Sequence, residues 1–139
     1  MVVIAAVDRS KEATDVVTEA AELAELLDEP IHVVHALTRS EFVKLGSTSA
    51  QAEKPLDLEQ VRDAAADMAE ESVPEIDVSY ETVGLVGDPA DQIVEYATEV
   101  SAQYIVVHPR RRSPAGKALF GSVAQSVLLN ASCPVVTVP

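Results

Sequence analysis

The chain has one cysteine, Cys133, in 139 residues. No disulfide can form within it, and nothing points to an oxidising compartment. No apolar run approaches the ~18–20 residues that cross a bilayer, and the opening MVVIAAVDRS lacks the basic region and cleavage site of a secretory leader. A soluble, cytoplasmic protein without membrane contact is the expectation. Acidic residues are missing from one whole stretch: all 23 lie at or before Glu99, and none follows Val100. With six basic residues among them, residues 1–99 carry −17, and Arg110, Arg111, Arg112 and Lys117 bring the total to −13. A body so acidic repels phosphate at long range, which excludes nonspecific binding to nucleic acid or to anionic membranes. Four lysines against 23 carboxylates also match the surface of a halophilic protein, because concentrated salt screens the self-repulsion that otherwise weakens a compact state.

What is present suffices for a core. Hydrophobic residues make up 47% of the chain and mean hydropathy is +0.13, so a folded domain is expected despite the charge. The length leaves room for a single domain over 1–139.

Val2 to Val7 is continuously apolar and rich in Val and Ile, the pattern of a strand buried on both faces of a parallel sheet. Ser10 offers an N-cap, and from Lys11 to Leu27 apolar positions recur at three- and four-residue spacing, as in an amphipathic helix. The alternation then repeats. Strands are predicted over 31–37, 76–83, 104–107 and 134–138, and helices over 56–71, 89–100 and 121–130. Strand three alternates Ile76, Val78, Tyr80 and Thr82 against polar neighbours, which places it at a sheet edge with one wet face, and Gly84-Leu85-Val86-Gly87 follows it. Asp88 caps the next helix and Pro89 occupies its first turn. Strictly alternating strands and helices mean right-handed crossovers, one open parallel sheet and helices on both faces. Residues 38–55 are long and polar for a connection, which marks a flap or a locally folded excursion.

The segments AAVDRS, IHVVHAL, GDPADQIVEYA and FGSVAQSVLLNASCPVVTV together resemble the universal stress protein family across the whole chain. The resemblance implies an α/β fold of the Rossmann-like, adenine nucleotide alpha hydrolase-like kind, with five parallel strands in the order 3-2-1-4-5. It also implies homodimers through the last strand and, in many members, an ATP or AMP site. In that order the ligand crevice lies between strands one and four, beyond their carboxyl ends. Asp8 and the stretch from His108 to Arg112 are expected to meet there.

Nucleotide-binding members of the family carry Gly-x2-Gly-x9-Gly-Ser/Thr after strand four. Here the spacing is kept, but His108 and Arg111 stand at the first two glycine positions, followed nine residues later by Gly121-Ser122. Bare glycine backbone lets amides close on phosphate oxygens, and a side chain at those positions holds them off. Arg110, Arg111 and Arg112 offer guanidinium donors in exchange, so an altered phosphate site is expected. The run also reads as a solvated patch among acidic neighbours.

The other positions carry two readings each. Asp8 matches the family's ribose and adenine contact, and it also stands where a helix cap would, although Ser10 is better placed for that. Ala36 matches the adenine-contacting residue of strand two, or is a small core residue. Gly121, Ser122 and Val123 match the phosphate-contacting helix start, and Gly-Ser is at the same time an ordinary helix N-terminus. Gly116-Lys117 is no Walker motif, since the upstream glycine and the following Ser/Thr are missing.

His32 and His35 have opposite parity on strand two and face different sides of the sheet. In the strand order that the resemblance implies, strand one separates His35 from His108 by about 9–10 Å, too far to share a metal ion. Cys133 reads as a packed thiol. No nucleophile–base pair and no carboxylate dyad has a defined spacing, so a non-enzymatic protein is expected. A phosphotransfer receiver fails on its residues, because strand three is followed by Gly84, where that class needs an aspartate. The remaining readings are a stress-response module holding a nucleotide or another phosphate-bearing ligand in altered form, and a partner-binding dimer whose ATP site has decayed.

Overall fold

A computed structural model describes residues 1–46, 57–112 and 118–139, with backbone alone for 45–46, 110–112 and 118–120. The continuously apolar segments become β1 (Val3–Ala6), β2 (Ile31–Leu37) and β4 (Tyr104–Val107), the middle of a five-stranded sheet. Its edges are β3 (Tyr80–Val86) and β7 (Val135–Thr137). All pairings in this sheet are parallel and the order is β3-β2-β1-β4-β7, the expected 3-2-1-4-5 topology. A separate antiparallel pair, β5 (Arg110–Arg112) with β6 (Ala118–Phe120), follows β4.

Among the described residues five helices cover the sheet: α1 (Ala13–Leu27), α2 (Arg39–Gly46), α3 (Leu58–Glu71), α4 (Pro89–Glu99) and α5 (Ser122–Asn130). The period-two pattern of the strands sorts the core into two faces. Val3, Ala5, Val7 and Val33 pack on one side with Val16, Val17, Ala20 and Ala24 of α1. Ile4, Val34, Ile105 and Val107 pack on the other with Ala90, Ile93 and Ala97 of α4 and Val127 of α5. A third cluster, Leu37 with Val61 and Ala65, ties α3 to the carboxyl end of β2 and receives Phe42 of α2. Among the described residues no helix is long and apolar enough to cross a membrane.

Three expectations need correction, and one open reading is narrowed. Ser10 does not cap α1. The helix begins at Ala13 after Glu12, which makes no side-chain cap, because the Ser10 amide and hydroxyl both donate to Asp8 Oδ1 and hold 8–10 in a local turn. Strand three is displaced: pairing from Ile31↔Tyr80 to Leu37↔Val86 makes 84–86 strand and leaves Ile76 and Val78 outside it, packed against the α1 core. The strand does lie at the edge, with no fully buried residue. The long connection after β2 starts with a helix, α2, while its part from 47 to 55, like the Gly116-Lys117 pair, lies outside the described residues. Finally, the stretch after β4 is a hairpin where no strand was expected.

Glycine is required at two places. A Cβ at Gly84 would lie 1.8 Å from the Arg62 carbonyl oxygen, so α3 crosses β3 with its backbone against bare backbone. Gly87 has φ +135°. It turns the chain from β3 into the Asp88 cap, its amide donating to the Leu37 carbonyl at 3.1 Å.

Candidate functional site

Because β1 pairs with β2 on one side and β4 on the other, the crossovers diverge to opposite faces of the sheet at that point. A crevice must open beyond the strand ends. It is a cavity of about 300 Å³, at the small end of the range for ligand pockets. Ala6, Val7 and Asp8 line it at the end of β1, His35, Ala36 and Leu37 on β2, and Val107 and His108 at the end of β4. Glu41 and Lys44 of α2, Pro89 and Ile93 of α4, and Val123 and Ala124 of α5 complete the walls, with Arg9 and Val16. The interior is chiefly apolar, with a few polar groups.

Of the residues singled out in the sequence, Asp8, Ala36, His108 and Val123 line this cavity. Asp8 accepts from Ser10, which orients its carboxylate at the end of β1. Ala36 is buried at 6% exposure, one wall of the cavity and part of the core at once. Gly121 is the N-cap of α5 and has no side chain with which to cap it. Its own amide donates to the Pro109 carbonyl at 2.8 Å. The first turn of α5, from Ser122, presents the positive end of a helix dipole at the cavity through Val123 and Ala124. Arg110, Arg111 and Arg112 form β5, paired Arg110↔Phe120 to Arg112↔Ala118. Backbone that sits in a β ladder has fewer amides for phosphate than an open glycine loop. Their side chains lie outside the described residues.

The histidines have definite roles. His108 Nδ1–H donates to the Val138 carbonyl at 2.9 Å and ties the end of β4 to the chain after β7. His35 repeats the device one strand pair away: its Nδ1–H donates to the Val7 carbonyl at 2.9 Å, just after β1 ends. His32 faces the other side of the sheet, within 2.7 Å of the Tyr96 hydroxyl and 3.2 Å of Glu81. A carboxylate only accepts, so His32 Nε2–H donates to Glu81 and the tyrosine hydroxyl donates to Nδ1. Burial, with the negative charges of Glu81 and Glu99, pushes the Tyr96 phenol up from its ordinary 10.0. Burial likewise pushes up the Cys133 thiol. Among the described residues no group of three or more His, Cys, Asp or Glu side chains could hold a metal ion.

Four polar lining residues, Arg9, His35, Glu41 and Lys44, are not among the site residues that the sequence suggests. Glu41 and Lys44 sit on a helix that polar composition conceals, and along the chain His35 reads only as a possible metal ligand. Its odd register beside Val33 and its place at the strand's end were the available signals.

The comparisons with known proteins agree with this geometry. The signature of the universal stress protein family matches residues 1–139. A universal stress protein of Methanocaldococcus jannaschii is 30% identical over 131 residues, which are 91% of this chain and 77% of that protein. The solved universal stress protein of Archaeoglobus fulgidus is 33% identical, with a TM-score of 0.68 over 99% of this chain and 97% of its own. A structure of the universal stress protein from Archaeoglobus fulgidus in complex with dAMP gives 30% identity and a TM-score of 0.63, over 99% and 96% of the two chains. Sequence, topology and the crevice at the switch point together place this chain in the universal stress protein family.

Proposed function

We propose that this protein is a non-enzymatic stress-response module that holds an adenine nucleotide, or another phosphate-bearing ligand, in the cavity between the ends of β1 and β4. The observation that carries the reading is the cavity itself: apolar walls, Asp8 at its rim, and an α5 N-terminus that no side chain caps. Apolar walls suit a base, and a helix N-terminus suits a phosphate. The relative from Archaeoglobus fulgidus with dAMP supports a nucleotide as the occupant. Arg110, Arg111 and Arg112, beginning two residues beyond His108, are the proposed phosphate donors in place of the missing glycine amides.

Calorimetry with AMP, dAMP, ATP and inorganic phosphate tests this reading. Micromolar to millimolar binding of a nucleotide supports it, and absence of binding by all four refutes it. Replacing Arg110 and Arg111 by Ala should weaken phosphate ligands by about 1–3 kcal/mol per lost charge-assisted bond, with marked salt dependence. Binding indifferent to that change rejects the arginine donors.

A second reading, a partner-binding dimer with a decayed nucleotide site, is favoured by one feature. The Gly121 amide is committed to Pro109 and the 110–112 backbone to a ladder, so the amides of an open phosphate loop are partly engaged. On either reading the protein is proposed to be a cytoplasmic homodimer joined through β7, whose outer edge lies at the sheet boundary.

A further inference from the structure

A second cluster of titratable side chains lies toward the amino end of the sheet, and none of its members lines the cavity. His32 is the second residue of β2, Glu81 is its register partner on β3, and Tyr96 stands on α4. His32 Nδ1 is 2.7 Å from the Tyr96 hydroxyl, and its Nε2 is 3.2 Å from a Glu81 carboxylate oxygen. With the ring proton on Nε2, facing the carboxylate, Nδ1 is a free base at hydrogen-bond distance from a phenol.

The surroundings favour one kind of reaction. Burial and the carboxylates of Glu81 and Glu99 push the Tyr96 phenol up from its ordinary pKa, so a phenolate is disfavoured and an electron leaves only together with the proton. The same negative charges favour a positive imidazolium at His32. The other two tyrosines of the chain are placed differently. Tyr80 donates to the Glu70 carboxylate at 2.9 Å, and a carboxylate is a weaker base than an imidazole by about two pKa units. Tyr104 packs against the α1 core.

We propose that Tyr96 is a redox-active tyrosine, the residue at which small one-electron oxidants oxidise and nitrate this protein, with His32 Nδ1 as the acceptor of its proton. The phenol gives one electron to a radical such as nitrogen dioxide, which becomes nitrite. Its O–H bond breaks as the Nδ1–H bond forms, leaving a neutral tyrosyl radical and an imidazolium facing Glu81. A second nitrogen dioxide bonds to the ring carbon beside the oxygen, the hydrogen of that carbon passes to the oxygen as a proton, and the product is nitrotyrosine. His32 returns its own extra proton to solvent. The site is independent of the nucleotide reading.

Exposure alone selects a different residue, since Tyr80 is 38% exposed and Tyr96 is half-buried. The experiment treats the folded protein with nitrogen dioxide generated by radiolysis and maps nitrotyrosine by mass spectrometry. Nitration of Tyr96 should exceed that of Tyr80 by about tenfold or more, because a positioned base contributes about 10²–10⁴-fold to a proton transfer. In His32→Asn the side-chain carbonyl stands near the Nδ1 position and still accepts from the phenol, but it takes up no proton. Nitration of Tyr96 should then fall to the level of Tyr80 or below it. Tyr80 as the principal site in wild type, or a Tyr96 yield that His32→Asn leaves unchanged, overturns the inference. Should that variant not fold, Glu81→Gln decides together with the wild-type map, because the Glu81 side chain is 74% exposed and its replacement spares the core. Without the carboxylate charge the imidazolium is less favoured, and Tyr96 nitration should drop about twofold or more; an undiminished yield overturns the inference.

Discussion

Gly84→Ala tests the close crossing of α3 over β3, beside the cluster that packs Leu37 and Phe42 against α3. At an open strand position this change raises stability by about 0.4–1 kcal/mol, since alanine has less freedom to lose on folding. Here the new Cβ would lie 1.8 Å from the Arg62 carbonyl oxygen, 2.7 Å from the Ala66 amide nitrogen and 2.8 Å from the Arg62 carbonyl carbon. All three are backbone atoms of α3, which cannot rotate away as a side chain would. Ordinary contact needs more than 3.4 Å, so α3 must lift by about 1.5 Å along its closest approach, opening the contacts of Val61 and Ala65 with Leu37. Overpacking costs typically about 1–3 kcal/mol, and a backbone clash lies at the upper end of that range. A loss of about 3 kcal/mol corresponds to a fall of about 10 °C in Tm for a domain of this size, at an unfolding entropy near 2.1 cal/mol/K per residue. Urea unfolding and calorimetry measure both quantities. Because Phe42 of α2 also packs in this cluster, the variant should bind the cavity ligand more weakly as Glu41 and Lys44 shift. The sign is decisive: a Gly84→Ala protein as stable as wild type, or more stable, refutes the close-crossing argument.

Gly87→Ala should cost about 1–3 kcal/mol in urea unfolding, because φ +135° is strained for any residue with a Cβ. Thr137→Pro should yield folded monomers by light scattering if copies join through β7. The Val138 amide donates inward to Val107, so the alternating pattern aims the Thr137 amide outward, where proline removes only the donor a partner strand would use. The unfolding midpoint should rise between dilute buffer and molar KCl as the Debye length falls from ~10 Å at 0.1 M to ~3 Å at 1 M, and an unmoved midpoint contradicts the expectation of a halophilic surface. Folding raises the Tyr96 pKa, so its contribution is complete below the ordinary value of 10.0 and is lost as pH rises through the folded value. Tyr96→Phe should flatten that alkaline loss in pH-dependent melts.

The sequence by itself determined the sheet. Val2–Val7, Ile31–Leu37 and Tyr104–Val107 are apolar without interruption, and only a position in the middle of a parallel sheet buries both faces of such a strand. Asp88-Pro89 fixed the start of α4 because capping chemistry is local. Strand order came only through the family resemblance, and with it the switch point and the neighbourhood of Asp8, Ala36, His108 and Val123.

Tertiary structure decided the rest, wherever a residue had two local uses. Ser10 could cap a helix or bind Asp8, and the turn at the end of β1 favoured Asp8. Strand three could follow its own alternation from Ile76, but a ladder of seven residue pairs with β2 set its register from Tyr80 to Val86. Gly84 reads along the chain as lying beyond strand three, because the helix that excludes its Cβ is distant in sequence. His35 reads along the chain only as a possible metal ligand, whereas folding brings its Nδ1 to the Val7 carbonyl, 28 residues away. Periodicity and capping act over a few residues and can be read along the chain. Register, close crossings and long-range hydrogen bonds exist only between segments that folding has brought together.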